Sequence, residues 1–452
     1  MFSYDRRIAP SIHVAEHEAQ PVPARRPGAL GVAALRLFRR IVRLYFRDVE
    51  VVGDVPTAST GGRIFAANHF NGMIDPVLVL TNAPCAIAPV AKSTLWKIPV
   101  LASLLDAVGA VPVLRRKDDP NKAADANDEV FARVAGHLRG GGNVLIFPEG
   151  VSHDEPKLVR LKSGAGRMLA RAESEGGRDL TYQAVALEFD ARDVFRSRAL
   201  VVYGPVRRVD AHRVKGDDLA REITDTLADD LAELVVEGAT WDERLLVARI
   251  AEMFANASGD RSMAGVNEIG RVVEAAKKAL GAPGDAAYDA IATAVGDYYA
   301  RLDAAGLADH DLETAGAPPR SRTRSWVKLA VALPLAVPGA ALWWLPYQLP
   351  RLVSARLAKG EANVVSTYKL ATGLVVFPLW AAGLTTASIA LVPWPWSLGV
   401  AAGVLASAPA ALVWLDWLER PRFRRAVDAD ALRHERSKVM RILEAARDFA
   451  RP

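Results

Sequence analysis

The chain has 452 residues, 51% of them hydrophobic, and its 57 basic and 52 acidic side chains leave a net charge of +5. That much apolar material excludes a disordered chain, and so small a surplus excludes a dedicated nucleic-acid binder. A single cysteine, Cys85, excludes an intramolecular disulfide framework and a cysteine-rich zinc site.

Residues 1–28 place Arg6, Arg7, Arg25 and Arg26 among prolines without an apolar stretch, and read as a flexible basic tail rather than a signal peptide. Arg36, Arg39, Arg40, Arg43 and Arg47 then share an arc of about 100° on a helical wheel, with Leu37, Phe38, Ile41, Val42, Leu44 and Tyr45 filling the rest. The pattern predicts a basic amphipathic helix that lies among lipid headgroups, packs on a core, or does both.

Short apolar runs at 63–67, 110–114, 144–147, 184–187 and 199–203 predict buried strands. Helical patterns at 76–82, 93–107, 122–139 and 163–175 separate them, so the expected fold is α/β, a mixed sheet flanked by helices across residues 29–215. Residues 216–318 read as a helical, locally acidic extension without a chemical motif.

The membrane signal comes last, in residues 319–425. No charge occurs between Lys369 and Asp416, a run of 46 residues. One helix of that length would measure about 69 Å, roughly twice a bilayer core. The run must fold back, and Pro393-Trp394-Pro395-Trp396 marks the place with two helix breakers and two interfacial tryptophans. A transmembrane hairpin of 370–392 and 397–415 is expected, with a buried soluble hairpin as the alternative. The uncharged run 329–349 carries Pro334, Pro338 and Pro346 between basic clusters. Basic clusters favour the cytoplasm, so this run is read as re-entrant or interfacial, with a third crossing as the alternative. Residues 426–452 are expected to form a cytoplasmic helix.

Chemistry concentrates after the first strand of that α/β region, in Asn68-His69-Phe70-Asn71-Gly72-Met73-Ile74-Asp75-Pro76. On a regular helix His69 and Asp75 would diverge, but Asn71-Gly72 is a strong turn dipeptide that lets them meet. A carboxylate on imidazole fixes its tautomer and stabilises the imidazolium, which would make a general base for a hydroxyl nucleophile. The plainer alternatives are Asp75 as a helix N-cap ahead of Pro76 and His69 as a satisfied histidine at a strand end. Ser152, His153 and Asp154 are adjacent in sequence and so cannot form a triad.

Four blocks in order resemble the glycerolipid acyltransferase superfamily. They are Asn68-His69 through Asp75; Gly109 through Arg115, preceded by 91–99; Phe147-Pro148-Glu149-Gly150 with Leu161-Lys162-Ser163-Gly164; and the strand 184–187 with Phe195-Arg196-Ser197-Arg198. The five-residue interval between His69 and Asp75 is similar to the glycerol-3-phosphate and dihydroxyacetone-phosphate branch. Ala184 stands where the family usually has proline. More loosely, Ser366-Thr367-Tyr368-Lys369-Leu370 extends the resemblance into the membrane part.

The resemblance implies that His69, oriented by Asp75, deprotonates a glycerol hydroxyl that attacks an acyl thioester. Arg115 is the implied phosphate ligand, Lys162 an assistant, and Glu149 with Gly150 part of the acceptor site. Acyl-CoA or acyl carrier protein is the implied co-substrate, with no cofactor, metal or nucleic acid. The implied acceptor is glycerol-3-phosphate or dihydroxyacetone phosphate, and lysophosphatidate is the alternative. A catalytically inactive membrane scaffold or lipid-binding protein is the alternative outside the enzymes. The lack of a targeting signal and the basic flanks make a bacterial inner membrane the expected place, with the active site at its cytoplasmic face.

Overall fold

The computed structural model describes residues 28–56, 61–97, 99–113, 123–280, 284–312, 320–418 and 429–449. The basic tail expected at 1–28 therefore lies outside the described residues except for Gly28, and so does the basic cluster at 420–425.

A seven-stranded mixed sheet forms the centre. In chain order its strands are β1 (Asp48–Gly53), β2 (Arg63–Ala67), β3 (Ala88–Lys92), β4 (Val111–Val113), β5 (Asn143–Ile146), β6 (Thr181–Phe189) and β7 (Arg198–Arg208). They lie side by side as β1-β7-β6-β2-β5-β3-β4, parallel throughout except for the antiparallel β6–β7 pair. All five residues of β2 are buried, as expected of a central strand covered on both faces. Their alternation divides the core. Ile64 and Ala66 face one apolar layer with Ala184 and Ala186, while Phe65 and Ala67 face the other with Val185 and Leu187.

Helices supply the covering layers. On the second face lie α1 (Ala29–Tyr45) and α2 (Ile74–Asn82), followed in the chain by a 3₁₀ turn at Ser93–Lys97 and α3 (Pro99–Ala107). The first face carries α4 (Ala123–Arg139), α5 (Gly164–Ser174) and α6 (Gly216–Leu234). Beyond them, α7 (Trp241–Ala257), α8 (Met263–Leu280) and α9 (Ala286–Ala305) make up the helical extension. Apolar residues of α7 and α9 form a third core cluster with α13 (Ala429–Phe449), the last described helix of the chain.

Between these lie α10 (Arg320–Leu357), α11 (Ala362–Leu391) and α12 (Trp396–Leu418), which pack against one another. Ala362–Leu391 and Trp396–Leu415 are long and apolar enough to cross a membrane. Only 6% and 17% of their apolar windows are buried within the described structure. The prolines of 329–349, read as marking a re-entrant or interfacial segment, sit within one continuous helix, α10. Neighbouring helices make this possible. Pro346 has no N–H to give the carbonyl of Leu342, and the indole of Trp380 on α11 donates to that oxygen at 3.0 Å. Gly339 lets α10 approach α12 so closely that a Cβ would collide with the Ser407 carbonyl.

Candidate active site

Two parallel strands deliver the first and third sequence blocks to one place. β2 and β5 are neighbours, with Ala66 opposite Ile146, so Asn68-His69 and Phe147-Pro148-Glu149-Gly150 both leave from carboxyl ends of the sheet. Open parallel sheets gather ligands at this edge. Asn68 holds the edge together: its amide donates to the Leu187 carbonyl at 3.0 Å and its oxygen accepts the Leu187 N–H at 2.7 Å.

His69 and Asp75 meet. Nδ1 of His69 lies 2.9 Å from Oδ2 of Asp75, which also accepts the N–H of Asn71 at 2.7 Å. The turn at Asn71-Gly72 closes the interval, with Gly72 at φ +42° and the Ile74 N–H bonded to the Asn71 carbonyl. Asp75 is thus not the N-cap of α2, a position held by Met73, and its carboxylate points back to the loop. An ionised Asp75 can only accept, so it holds the proton on Nδ1 and leaves Nε2 as the basic nitrogen. Complete burial raises the Asp75 carboxyl above its ordinary range, partly offset by its bond to His69.

The ring of His69 also stacks on Phe147, with centroids 4.1 Å apart. Its backbone N–H donates to Oε1 of Glu149 at 2.8 Å, and Oε2 of Glu149 bonds Nε2 of His153. Glu149 is 1% exposed, and its two oxygens brace the His69 backbone and the His153 ring. Gly150, at φ +76°, is covered by Lys162, whose ammonium occupies the space that a Cβ would need. The Lys162 N–H bonds the Pro148 carbonyl at 2.8 Å, and the exposed side chain leaves a cation beside the block. Arg115 lies outside the described residues.

Several surrounding residues were not expected from the sequence. Arg192, in the β6–β7 loop, bonds Asp154 at 2.8 Å and the Phe70 carbonyl at 3.3 Å. Its carbonyl in turn accepts the Asn71 amide at 2.8 Å. Trp241, opening α7, lies beneath the Arg192 guanidinium, 4.9 Å from its ring centroid, and its indole donates to the Asp154 carbonyl. Arg244 covers Phe70 at 5.0 Å and pairs with Glu188 at 2.7 Å. The helical extension therefore walls one side of the site. These partners are distant in sequence from His69 and belong to none of the four blocks, so no local pattern announces them. Among the described residues, no group of three or more His, Cys, Asp or Glu side chains is arranged to hold a metal ion.

Residues 48–187 match the family model described as Acyltransferase. Among curated proteins, glycerol-3-phosphate O-acyltransferase 2 of Saccharomyces cerevisiae is 24% identical over 276 residues, covering 56% of this chain and 37% of that one. Glycerol-3-phosphate O-acyltransferase 1 of the same yeast is 26% identical over 133 residues, covering 28% and 18%. The chain thus spans little more than a third of the first relative and under a fifth of the second. A solved structure, the 1-acyl-sn-glycerophosphate acyltransferase PlsC from Thermotoga maritima, aligns with 17% identity and a TM-score of 0.32, covering 45% of this chain and 79% of that one. The matched segment spans the histidine loop and the Glu149 block, and over those residues the chain is similar to the family described as Acyltransferase.

Proposed function

We propose that the chain is a membrane-bound O-acyltransferase that moves a fatty acyl group from a thioester donor to glycerol-3-phosphate or dihydroxyacetone phosphate. The observation that carries this is the His69–Asp75 pair, which leaves Nε2 of His69 as a base at the carboxyl edge of the sheet. In the proposed step Nε2 takes the proton of the acceptor hydroxyl as its oxygen attacks the thioester carbonyl. The carbon–sulfur bond breaks, and the imidazolium returns the proton to the leaving thiolate. Asp75 stabilises the imidazolium between these events. Lys162 supplies positive charge for the acceptor phosphate, and Arg115 is its proposed partner in that task. Acyl-CoA and acyl carrier protein are both suitable donors.

The bilayer is the proposed setting. The exposed apolar helices support it, and the basic flanks support a site on the cytoplasmic face, which in a bacterium is the inner membrane. The test is to offer labelled acyl-CoA or acyl carrier protein thioester to the full chain in lipid nanodiscs, with glycerol-3-phosphate, dihydroxyacetone phosphate or lysophosphatidate as acceptor. Glycerol-3-phosphate or dihydroxyacetone phosphate should be acylated fastest. Faster acylation of lysophosphatidate would transfer the assignment to the second step of the same chemistry, and turnover of no acceptor would favour a scaffold.

A further inference from the structure

The membrane helix α11 does not stop at the soluble domain's surface; its first two turns form part of the site. Asp154 accepts the N–H groups of Ala362 and Asn363 at 2.9 and 2.8 Å, which satisfies two of the free donors at the start of α11. The Ser366 hydroxyl, fully buried, donates to the Arg192 carbonyl and accepts from the Tyr45 hydroxyl, each at 2.7 Å. Thr367 reaches the catalytic loop itself. Its Oγ1 accepts the N–H of Met73 at 3.0 Å. Met73 is the N-cap of α2, just ahead of Asp75, and its N–H lies in the turn that brings the carboxylate back to His69. The turn is pressed against α11: a Cβ at Gly72 would collide with the Thr367 hydroxyl and stand 3.0 Å from the Asn363 carbonyl.

We infer that Thr367 is a positioning residue for the His69–Asp75 pair, so that the helix anchoring the chain also completes its active site. The inference rests on the acylation reading above. Asp154 and Ser366 dock α11 independently of Thr367, so Thr367→Val, nearly isosteric, removes the acceptor for Met73 without releasing the helix. The turn then loses its fixed point, and a displacement of order 1 Å at a reacting group costs about 10²-fold in rate.

Two measurements test this on the full chain in nanodiscs. In steady-state kinetics, Thr367→Val should lower kcat by about 10- to 100-fold. KM for both substrates should stay within about threefold, and Thr367→Ser should retain near-normal turnover. Hydrogen exchange followed by mass spectrometry should find the Met73 amide protected in wild type and Thr367→Ser and fast-exchanging in Thr367→Val. Full kcat in Thr367→Val, an equal fall in Thr367→Ser, or equal protection of the Met73 amide in all three chains would each overturn the inference. A wild-type chain inert toward every acceptor would overturn the acylation reading as well, whereas an active wild type with a fully active Thr367→Val overturns this inference alone.

Discussion

Asp75 is a buried carboxylate at 0% exposure, and among the described residues its Oδ1 has no hydrogen-bond partner. Burial raises its carboxyl above the ordinary range, so the native chain holds that proton more tightly than the unfolded chain does. The stability it contributes is therefore fullest below about pH 4, the ordinary carboxylate value, and is lost as pH rises through the higher native value. Asp75→Asn removes this titration while abolishing the tautomer control of His69. Its melting temperature relative to wild type should climb as pH is raised from about 4 to 8. A relative melting temperature that falls over that interval would mean the ionised carboxylate is favoured by the fold. The pair itself was legible in the sequence because its two residues and the Asn71-Gly72 turn between them lie within seven residues. The bracing by Glu149 was not legible. The block marked the residue, but not that its two oxygens turn inward to the His69 backbone and to His153.

Elements were legible where burial is two-sided and obscure where it is partial. The core segments of β2, β5, β6 and β7 read as apolar runs because both faces are covered. β1 was missed: it is an edge strand of intermediate burial that carries Asp48 and Glu50, and β3 was missed because it carries Pro89 and ends in Lys92. In α10 the prolines pointed away from a continuous helix, and their compensation comes from α11, which no local pattern reveals. Trp380→Phe removes the indole donor and leaves the Leu342 carbonyl, already deprived by Pro346, without a partner. An unsatisfied buried acceptor costs about 1–3 kcal/mol, so thermal unfolding in detergent should shift down by that equivalent. In a Pro346→Ala background, where the helix supplies its own N–H, the same Trp380→Phe change should cost less. Equal costs in the two backgrounds would dismiss the compensation.

At the scale of the whole molecule, α11 is 30 residues long but its first nine lie against the soluble domain. The remaining 21, at about 1.5 Å each, span about 31 Å, the thickness of a bilayer core. After α12 the chain returns to the helical extension, where Arg436 of α13 pairs with the buried Asp309 at 2.8 Å and Glu435 meets Arg301 of α9 at 3.1 Å. Both ends of the α11–α12 pair are thus tied to the part of the chain that carries the sheet and its helical extension. On the same body, α1 leaves Leu30, Leu37 and Leu44 exposed beside Arg36, Arg40 and Arg43, a surface suited to anionic headgroups. In the proposed bilayer setting, these features would hold the carboxyl edge of the sheet, and His69 with it, close to where an acyl chain leaves the bilayer. The most direct test of the account is the initial rate of labelled acyl transfer to glycerol-3-phosphate by wild-type and His69→Ala chains, matched for amount in nanodiscs. Loss of the general base should lower that rate by about 10²–10⁴-fold. A His69→Ala chain that transfers acyl groups as fast as wild type would contradict it.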